Sequence, residues 1–125
     1  MTDLPRVVLV VDDNRDFLDA MISLLESDQR YEILYASDGR EALAVLETRV
    51  PDVLITDISM PKMGGFELIE TIKQDNRFEN MFIIVVTADT TAEKMRRGKA
   101  LGVTEYVTKP FMPSEFLTVL QRLLD

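Results

Sequence analysis

Hydrophobic residues in this chain fall into short, mostly apolar runs that are separated by longer segments of mixed polarity. The runs lie at 6–11, 31–36, 52–56, 81–87 and 105–108. Three of them, "RVVLVV", "DVLIT" and "MFIIVVT", are almost continuously apolar, which is typical of parallel strands covered on both faces of a sheet. The pattern therefore predicts five β-strands.

The segments after the strands repeat their apolar residues at helical spacing. Helices are predicted at 14–27, 40–47, 66–73, 90–102 and 113–124. The fourth is the weakest, because Gly98 lowers helix stability and the apolar stripe is thin. Phe17 belongs to the apolar stripe of the first helix and is predicted to face the core.

Strand and helix alternate five times, which predicts one α/β domain over residues 1–125 with right-handed crossovers. The length suits one domain, and a hydrophobic content of 46% is enough for a core. In such a sheet, ligands bind outside the carboxyl ends of the strands. Candidate functional residues are therefore those that directly follow a strand.

The charge and composition limit the chemistry that these residues can perform. The chain has 22 acidic and 14 basic residues, for a net charge of -8, which argues against direct binding of nucleic acid. It has no cysteine and no histidine, so thiolate and imidazole chemistry are excluded and any metal is expected to be a hard cation. No signal sequence or membrane span is evident, so a cytoplasmic location without membrane insertion is expected.

Five polar residues follow predicted strands: Asp12, Asp13, Asp57, Thr87 and Lys109. Each has an ordinary structural explanation, since an Asp can cap the next helix, a Thr suits a strand, and a lone Lys is usually solvated. If the first and third strands are neighbours, however, three carboxylates meet at one edge, and a divalent ion such as Mg²⁺ would relieve their repulsion. A metal, a lysine and a hydroxyl around one carboxylate are the parts that phosphoryl transfer needs, with Asp57 as nucleophile.

These motifs resemble the receiver domain of two-component response regulators, in particular the small stand-alone kind found in chemotaxis. The resemblance covers nearly the whole chain through "VVDDN", "DISMPKMGGFELI", "VVTAD" and "EYVTKPF", in that order. It implies a doubly wound, flavodoxin-like (βα)5 fold with strand order 2-1-3-4-5. It also implies a Lys109–Pro110 peptide bond that is commonly cis.

The resemblance assigns roles to individual residues. It implies that Asp57 accepts a phosphoryl group from the phosphohistidine of a sensor histidine kinase or phosphotransfer protein. Asp13 and Asp57 are expected to bind Mg²⁺ directly, with Asp12 acting mainly through water and Ser59 through its backbone carbonyl. Thr87, Lys109 and the amide of Ala88 are expected to bind the phosphoryl oxygens.

Further implied roles concern switching and signal output. Tyr106 would turn inward as Thr87 moves toward the phosphate, although from sequence alone it is a half-buried strand aromatic. Ser59 and Asp89 occupy positions that tune the lifetime of the phosphorylated state. The chain would thus be a phosphoacceptor switch, with only self-phosphorylation and slow autodephosphorylation as chemistry, and would signal to a downstream effector protein.

The effector surface implied by the resemblance is formed by the fourth helix, fifth strand and fifth helix. In this region Lys94, Arg96, Arg97 and Lys99 form a basic patch on an otherwise acidic protein. A solvated helix face is the simpler explanation of the patch, and docking of an acidic partner is the sharper hypothesis.

Two alternatives remain open from the sequence. One is a Mg²⁺-dependent phosphatase of the haloacid-dehalogenase type, although such enzymes need an acid two residues after the nucleophile, where this chain has Ser59. The other is that the chain is the receiver part of a longer transcriptional regulator. The polar stretch 74–81 is expected to be a surface connection.

Overall fold

The computed structural model describes residues 5–28 and 30–124 of the chain. Its five strands and five helices alternate, as the hydrophobic pattern predicts. The strands are β1 (Arg6–Val11), β2 (Tyr31–Ala36), β3 (Val53–Thr56), β4 (Phe82–Thr87) and β5 (Glu105–Thr108). The helices are α1 (Arg15–Glu26), α2 (Gly39–Leu46), α3 (Gly65–Lys73), α4 (Ala92–Leu101) and α5 (Pro113–Leu124).

All neighbouring strands are parallel, and their order across the sheet is β2-β1-β3-β4-β5. This confirms the flavodoxin-like fold. In the central pairing Val11 lies opposite Thr56, so β1 and β3 end at the same level. At the other side Thr87 lies opposite Thr108, which brings the ends of β4 and β5 to one edge.

The sheet separates two hydrophobic layers. On one side α1 and α5 pack on alternate strand residues, with Leu18 and Phe116 among the fully buried side chains. On the other side α2 and α3 pack on the intervening residues, and a smaller cluster beneath α4 contains Phe66 and Val85. Because both faces are covered, the strands can be apolar along most of their length.

The connection between α3 and β4 differs from the polar surface stretch expected from its sequence. It contains a short 3₁₀ turn, Asn76–Phe78, that is capped by the Asp75 side chain. The turn places Phe78 in the core with only 5% of its surface exposed, where it joins Met81 in the layer beneath α2 and α3. A single apolar residue between charged ones gave too little periodicity to predict this burial.

The weakly apolar α4 has a capping contact at each end. The Thr91 hydroxyl accepts a hydrogen bond from the backbone N–H of Lys94. At the other end Gly102 adopts a left-handed conformation with φ of 87°, and its N–H reaches the carbonyls of Gly98 and Lys99. These caps stabilise a helix that buries little surface of its own.

The beginning of β1 and the end of α5 are joined at the amino edge of the sheet. The guanidinium of Arg6 donates a 2.7 Å hydrogen bond to the carbonyl oxygen of Leu124.

No helix in the described ranges is long and apolar enough to cross a membrane.

Candidate functional site

The carboxyl edge of the sheet brings Asp12 and Asp57 together. Asp12 follows the last residue of β1 and Asp57 the last residue of β3, and the backbone N–H of Asp57 donates to the Val11 carbonyl at 3.3 Å. Asp12 is buried, with 2% of its surface exposed, and 14% of the Asp57 side chain remains accessible. The two carboxylates therefore share one shallow site with unequal access to solvent.

Lys109 lies between these two carboxylates. Its Nζ is 2.8 Å from Asp12 Oδ2 and 3.0 Å from Asp57 Oδ2, and 19% of the side chain is exposed. Burial alone would lower the pKa of Lys109, but hydrogen bonds and charge from the two aspartates outweigh it and raise the pKa above its usual value. The lysine is thus charged at neutral pH and directly bridges the acids.

The second oxygen of each carboxylate is held by backbone N–H groups. Asp12 Oδ1 accepts from Asn14 N at 2.9 Å. Asp57 Oδ1 accepts from Ile58 N at 2.6 Å and from Ser59 N at 3.3 Å. Both side chains are therefore oriented from two directions, which fixes the oxygens that could react or bind a cation.

Neither Asp12 nor Asp13 caps α1, because the residue that follows them, Asn14, is the cap. Asn14 is the N-cap of α1, and its side-chain oxygen accepts a hydrogen bond from the backbone N–H of Phe17 at 3.1 Å. The structural explanation for Asp12 and Asp13 as caps is therefore wrong. Both carboxylates are left for another use.

The third predicted carboxylate, Asp13, has an exposed side chain. Within residues 5–28 and 30–124, no group of three or more His, Cys, Asp or Glu side chains is arranged to hold a metal ion. The expected meeting of three acids is thus replaced by two acids and a bridging lysine. Asp12 and Asp57 already share one cation, and Asp13 and Ser59, next to them in sequence, are exposed. The donor atoms these residues can offer are all oxygens, which is the donor type that Mg²⁺ prefers.

Thr87, at the end of β4, lies near this edge and is buried. Its Oγ1 accepts a hydrogen bond from the backbone N–H of Asp89 at 3.1 Å, and a hydroxyl that accepts one bond can still donate its own hydrogen. The backbone N–H of Lys109 donates to the Thr87 carbonyl at 2.9 Å, which ties the ends of β4 and β5 together. Ala88 is exposed directly after Thr87.

Tyr106 packs against α4. Its hydroxyl donates a 3.0 Å hydrogen bond to the backbone carbonyl of Lys94, and burial raises the pKa of the phenol. A Cβ at position 98 would lie 2.7 Å from Cε2 and Cζ of the Tyr106 ring and would overlap its hydroxyl oxygen. The ring can occupy this position because residue 98 is glycine.

The cations of the basic patch on α4 differ in their contacts, although each is at least partly exposed. Arg97 forms a 2.6 Å ion pair with Glu70 on α3 and stacks 4.8 Å from the centroid of the Phe66 ring. Lys94 lies 3.7 Å from Asp89. Arg96 and Lys99 are exposed and line a groove of about 530 Å³ beside Tyr106.

Phe17 also contacts the site, which the sequence analysis did not anticipate. The Nζ of Lys109 lies 3.9 Å from the centroid of the Phe17 ring. The helical spacing placed Phe17 on the core-facing stripe of α1, and this placement holds in part, since the ring packs against the core formed by α1 and α5. No local signal in the sequence links residues 17 and 109.

The Lys109–Pro110 peptide bond is cis, as the resemblance implies.

Comparison with known proteins gives one consistent family. A family model described as "Response regulator receiver domain" matches residues 8–121. The chain is 35% identical to an uncharacterized 14.6 kDa protein of Leptolyngbya boryana, and the match covers 92% of this chain and 87% of that protein. It is 37% identical to the alkaline phosphatase synthesis transcriptional regulatory protein PhoP of Bacillus subtilis, over 88% of this chain and 45% of the regulator.

A further relative and a solved structure extend the comparison. The chain is 34% identical to the sensor histidine kinase CheAY of Helicobacter pylori, over 93% of this chain but only 15% of the kinase. It superposes on the chemotaxis protein CheY4 of Vibrio cholerae with a TM-score of 0.90 at 38% identity, covering 96% of this chain and 99% of the other. The chain therefore spans most of some relatives and a small part of others.

Proposed function

Because this chain belongs to the response regulator receiver domain family, we propose that it is a phosphorylation-activated switch in which Asp57 accepts the phosphoryl group. The observation that carries the proposal is the bridging of Asp12 and Asp57 by the Lys109 ammonium at the carboxyl edge of the sheet. A partly exposed carboxylate beside a fixed cation is suited to attack an anionic phosphoryl group.

In the proposed reaction a carboxylate oxygen of Asp57 forms a bond to phosphorus while the bond from phosphorus to the donor nitrogen breaks. The electron pair of that broken bond stays with the imidazole of the phosphohistidine donor. Negative charge on the transferred group is stabilised by the Lys109 ammonium, the Thr87 hydroxyl and the backbone N–H of Ala88. No general base is required, because an ionised carboxylate is already a nucleophile.

The residues that would hold Mg²⁺ are Asp12, Asp13, Asp57 and the Ser59 carbonyl. When bound, the ion supplies positive charge that offsets the repulsion between these acids and the incoming phosphoryl oxygens. For the exposed Asp13 this requires its carboxylate to turn toward Asp12 and Asp57. Ser59 and Asp89 flank the reacting groups in this proposal, where they would tune how fast water removes the phosphoryl group.

The proposed partners are a sensor histidine kinase or phosphotransfer protein as donor, and an effector protein that reads the face formed by α4, β5 and α5. Arg96 and Lys99 on that face favour an acidic effector surface. In this proposal the chain acts in the cytoplasm. The chain could act as a stand-alone receiver or as the receiver part of a longer regulator, and relatives of both lengths exist.

Phosphorylation by a small donor tests the proposal directly. An acyl phosphate together with Mg²⁺ should add one phosphoryl group to the chain, measured by intact-mass spectrometry. Chelating the divalent ion should prevent the addition, because the acids then repel the anionic donor. Sustained, multiple-turnover hydrolysis of small phosphate esters would instead support the phosphatase alternative.

A second test concerns the position of the Tyr106 ring, which the family resemblance makes a conformational switch. Gly98→Ala should displace the ring from α4, because the added methyl group overlaps the phenol hydroxyl. The pKa of Tyr106 should then fall toward its ordinary value as its burial is lost, which a pH titration of the ring resonances by NMR measures. The free energy of unfolding should change by less than about 1 kcal/mol, since the helix gains from losing a glycine.

The control for this experiment is Lys99→Ala, a neighbouring exposed position on the same helix. It should leave the pKa of Tyr106 raised. An unchanged Tyr106 pKa in Gly98→Ala would show that the position of the ring does not depend on the absence of a side chain at residue 98.

A further inference from the structure

The Lys109 ammonium has a third contact in addition to its two carboxylates. Its Nζ lies 3.9 Å from the Phe17 ring centroid, well inside the range in which an aromatic face attracts a cation. With 19% of the lysine side chain exposed, this contact is partly shielded from water, which strengthens it. The ammonium is therefore held by two anions and one aromatic face.

The Phe17 ring is itself held by other aromatic residues. It meets Phe111 edge-to-face, with centroids 6.0 Å apart and planes at 82°. Phe111 in turn packs 5.3 Å from Phe116, which is completely buried in the core. Three rings thus connect the interior of the domain to the lysine.

The backbone of Phe17 is tied to the same turn as Asp12. Phe17 N donates to the Asn14 side chain, and Asn14 N donates to Asp12 Oδ1. One short segment therefore sets both the carboxylate and the aromatic face that contact Lys109.

We infer that Phe17 is a positioning residue that keeps Lys109 at the phosphoryl-binding site while its carboxylate contacts change. This inference rests on the proposed phosphorylation of Asp57. As phosphorus bonds to Asp57, the carboxylate becomes part of an acyl phosphate and its hold on the lysine alters. The Phe17 ring takes no part in the reaction, so its attraction for the ammonium persists and keeps Nζ close to the incoming oxygens.

Phe17→Leu tests the inference, because leucine keeps an apolar side chain but has no aromatic face. We expect the second-order rate of phosphorylation by acetyl phosphate at saturating Mg²⁺ to fall about tenfold, the loss expected from a partly shielded cation–π contact. Phe17→Tyr keeps the aromatic face and should restore the rate to within about twofold of the original chain.

Leu24→Ala is the matched control, since Leu24 lies on the same helix and lines the groove that Phe17 and Lys109 also line, but it is not among the Lys109 contacts described above. It should lower the melting temperature at least as much as Phe17→Leu and leave the phosphorylation rate unchanged. Rates for Phe17→Leu equal to those of the original chain, or an equal rate loss in Leu24→Ala, would overturn the inference. If the original chain itself gained no phosphoryl group, the proposed function would fail first, so the two failures are distinguishable.

Discussion

Asp57→Asn is expected to abolish covalent phosphorylation of this chain. An amide oxygen is a poor nucleophile and carries no charge, so no bond to phosphorus should form. Intact-mass spectrometry after exposure to acetyl phosphate and Mg²⁺ should show one added phosphoryl group for the original chain and none for the variant. The loss should exceed about a hundredfold in rate, the size of effect expected when the reacting group itself is removed.

The variant should remain folded, which separates a chemical effect from unfolding. The Asn oxygen can still accept from Ile58 N and Ser59 N, and Lys109 keeps its contact with Asp12. Asp16→Asn, an exposed position in the first turn of α1, serves as the control and should be phosphorylated normally. A phosphoryl group on the Asp57→Asn chain would mean that another residue is the acceptor.

Lys109→Met is expected to have the largest effect on stability. It removes the cation that neutralises two neighbouring carboxylates, one of which is almost wholly buried. Removing one partner of a buried ion pair costs about 3 kcal/mol, which for a chain of this size corresponds to a melting temperature lower by roughly 10 °C. Thermal unfolding without divalent ions measures the loss.

Two controls separate the loss of this ion pair from the effect of replacing any lysine by methionine. Lys99→Met, at an exposed position on α4, should change the free energy of unfolding by less than about 0.5 kcal/mol. In an Asp57→Asn background the cost of Lys109→Met should be smaller, because one charge has already been removed. Mg²⁺ should restore part of the lost stability by binding the unpaired acids. Equal stability of Lys109→Met and Lys99→Met would contradict a buried, charged contact.

The pH dependence of this contribution follows from the raised pKa of Lys109. A lysine whose pKa is higher in the folded state stabilises the fold fully below its ordinary value of 10.5. The contribution is lost only as the pH rises through the folded-state value. Stability measurements near neutral pH therefore contain the whole effect of this ion pair.

Much of the fold could be predicted because its strands are buried on both faces. The run 6–11 coincides with β1, and 105–108 coincides with β5, since each is bounded by polar or turn residues. Strands β3 and β4 each begin one residue later than predicted, at Val53 and Phe82, where pairing in the sheet decides the boundary.

The candidate site was predictable to the level of individual residues but not of contacts. The rule that ligands bind at the carboxyl ends of strands selected Asp12, Asp57 and Lys109, and the structure brings these three together. Their arrangement could not be predicted, because Lys109 is separated along the chain from Asp12 by 97 positions and from Asp57 by 52. The sequence predicted a lysine near the acids but not that Lys109 would lie directly between Asp12 and Asp57.

Contacts made by ordinary core residues were the least predictable. Phe17 matched the helical stripe so well that no second role was apparent, and Gly98 was identified only as a residue that weakens α4. Each gains its significance from one distant side chain, Lys109 or Tyr106. Hydrophobic periodicity identifies the face of a helix but not the partner that the face meets.

The hydrogen bond between Arg6 and Leu124 has a practical consequence for the architecture. It brings the first strand and the last helix together at the pole of the molecule opposite Asp57. A tether, label or fused module joined beyond either element would leave from that pole. The end of the sheet that carries Asp57 would stay open to an incoming phosphoryl donor.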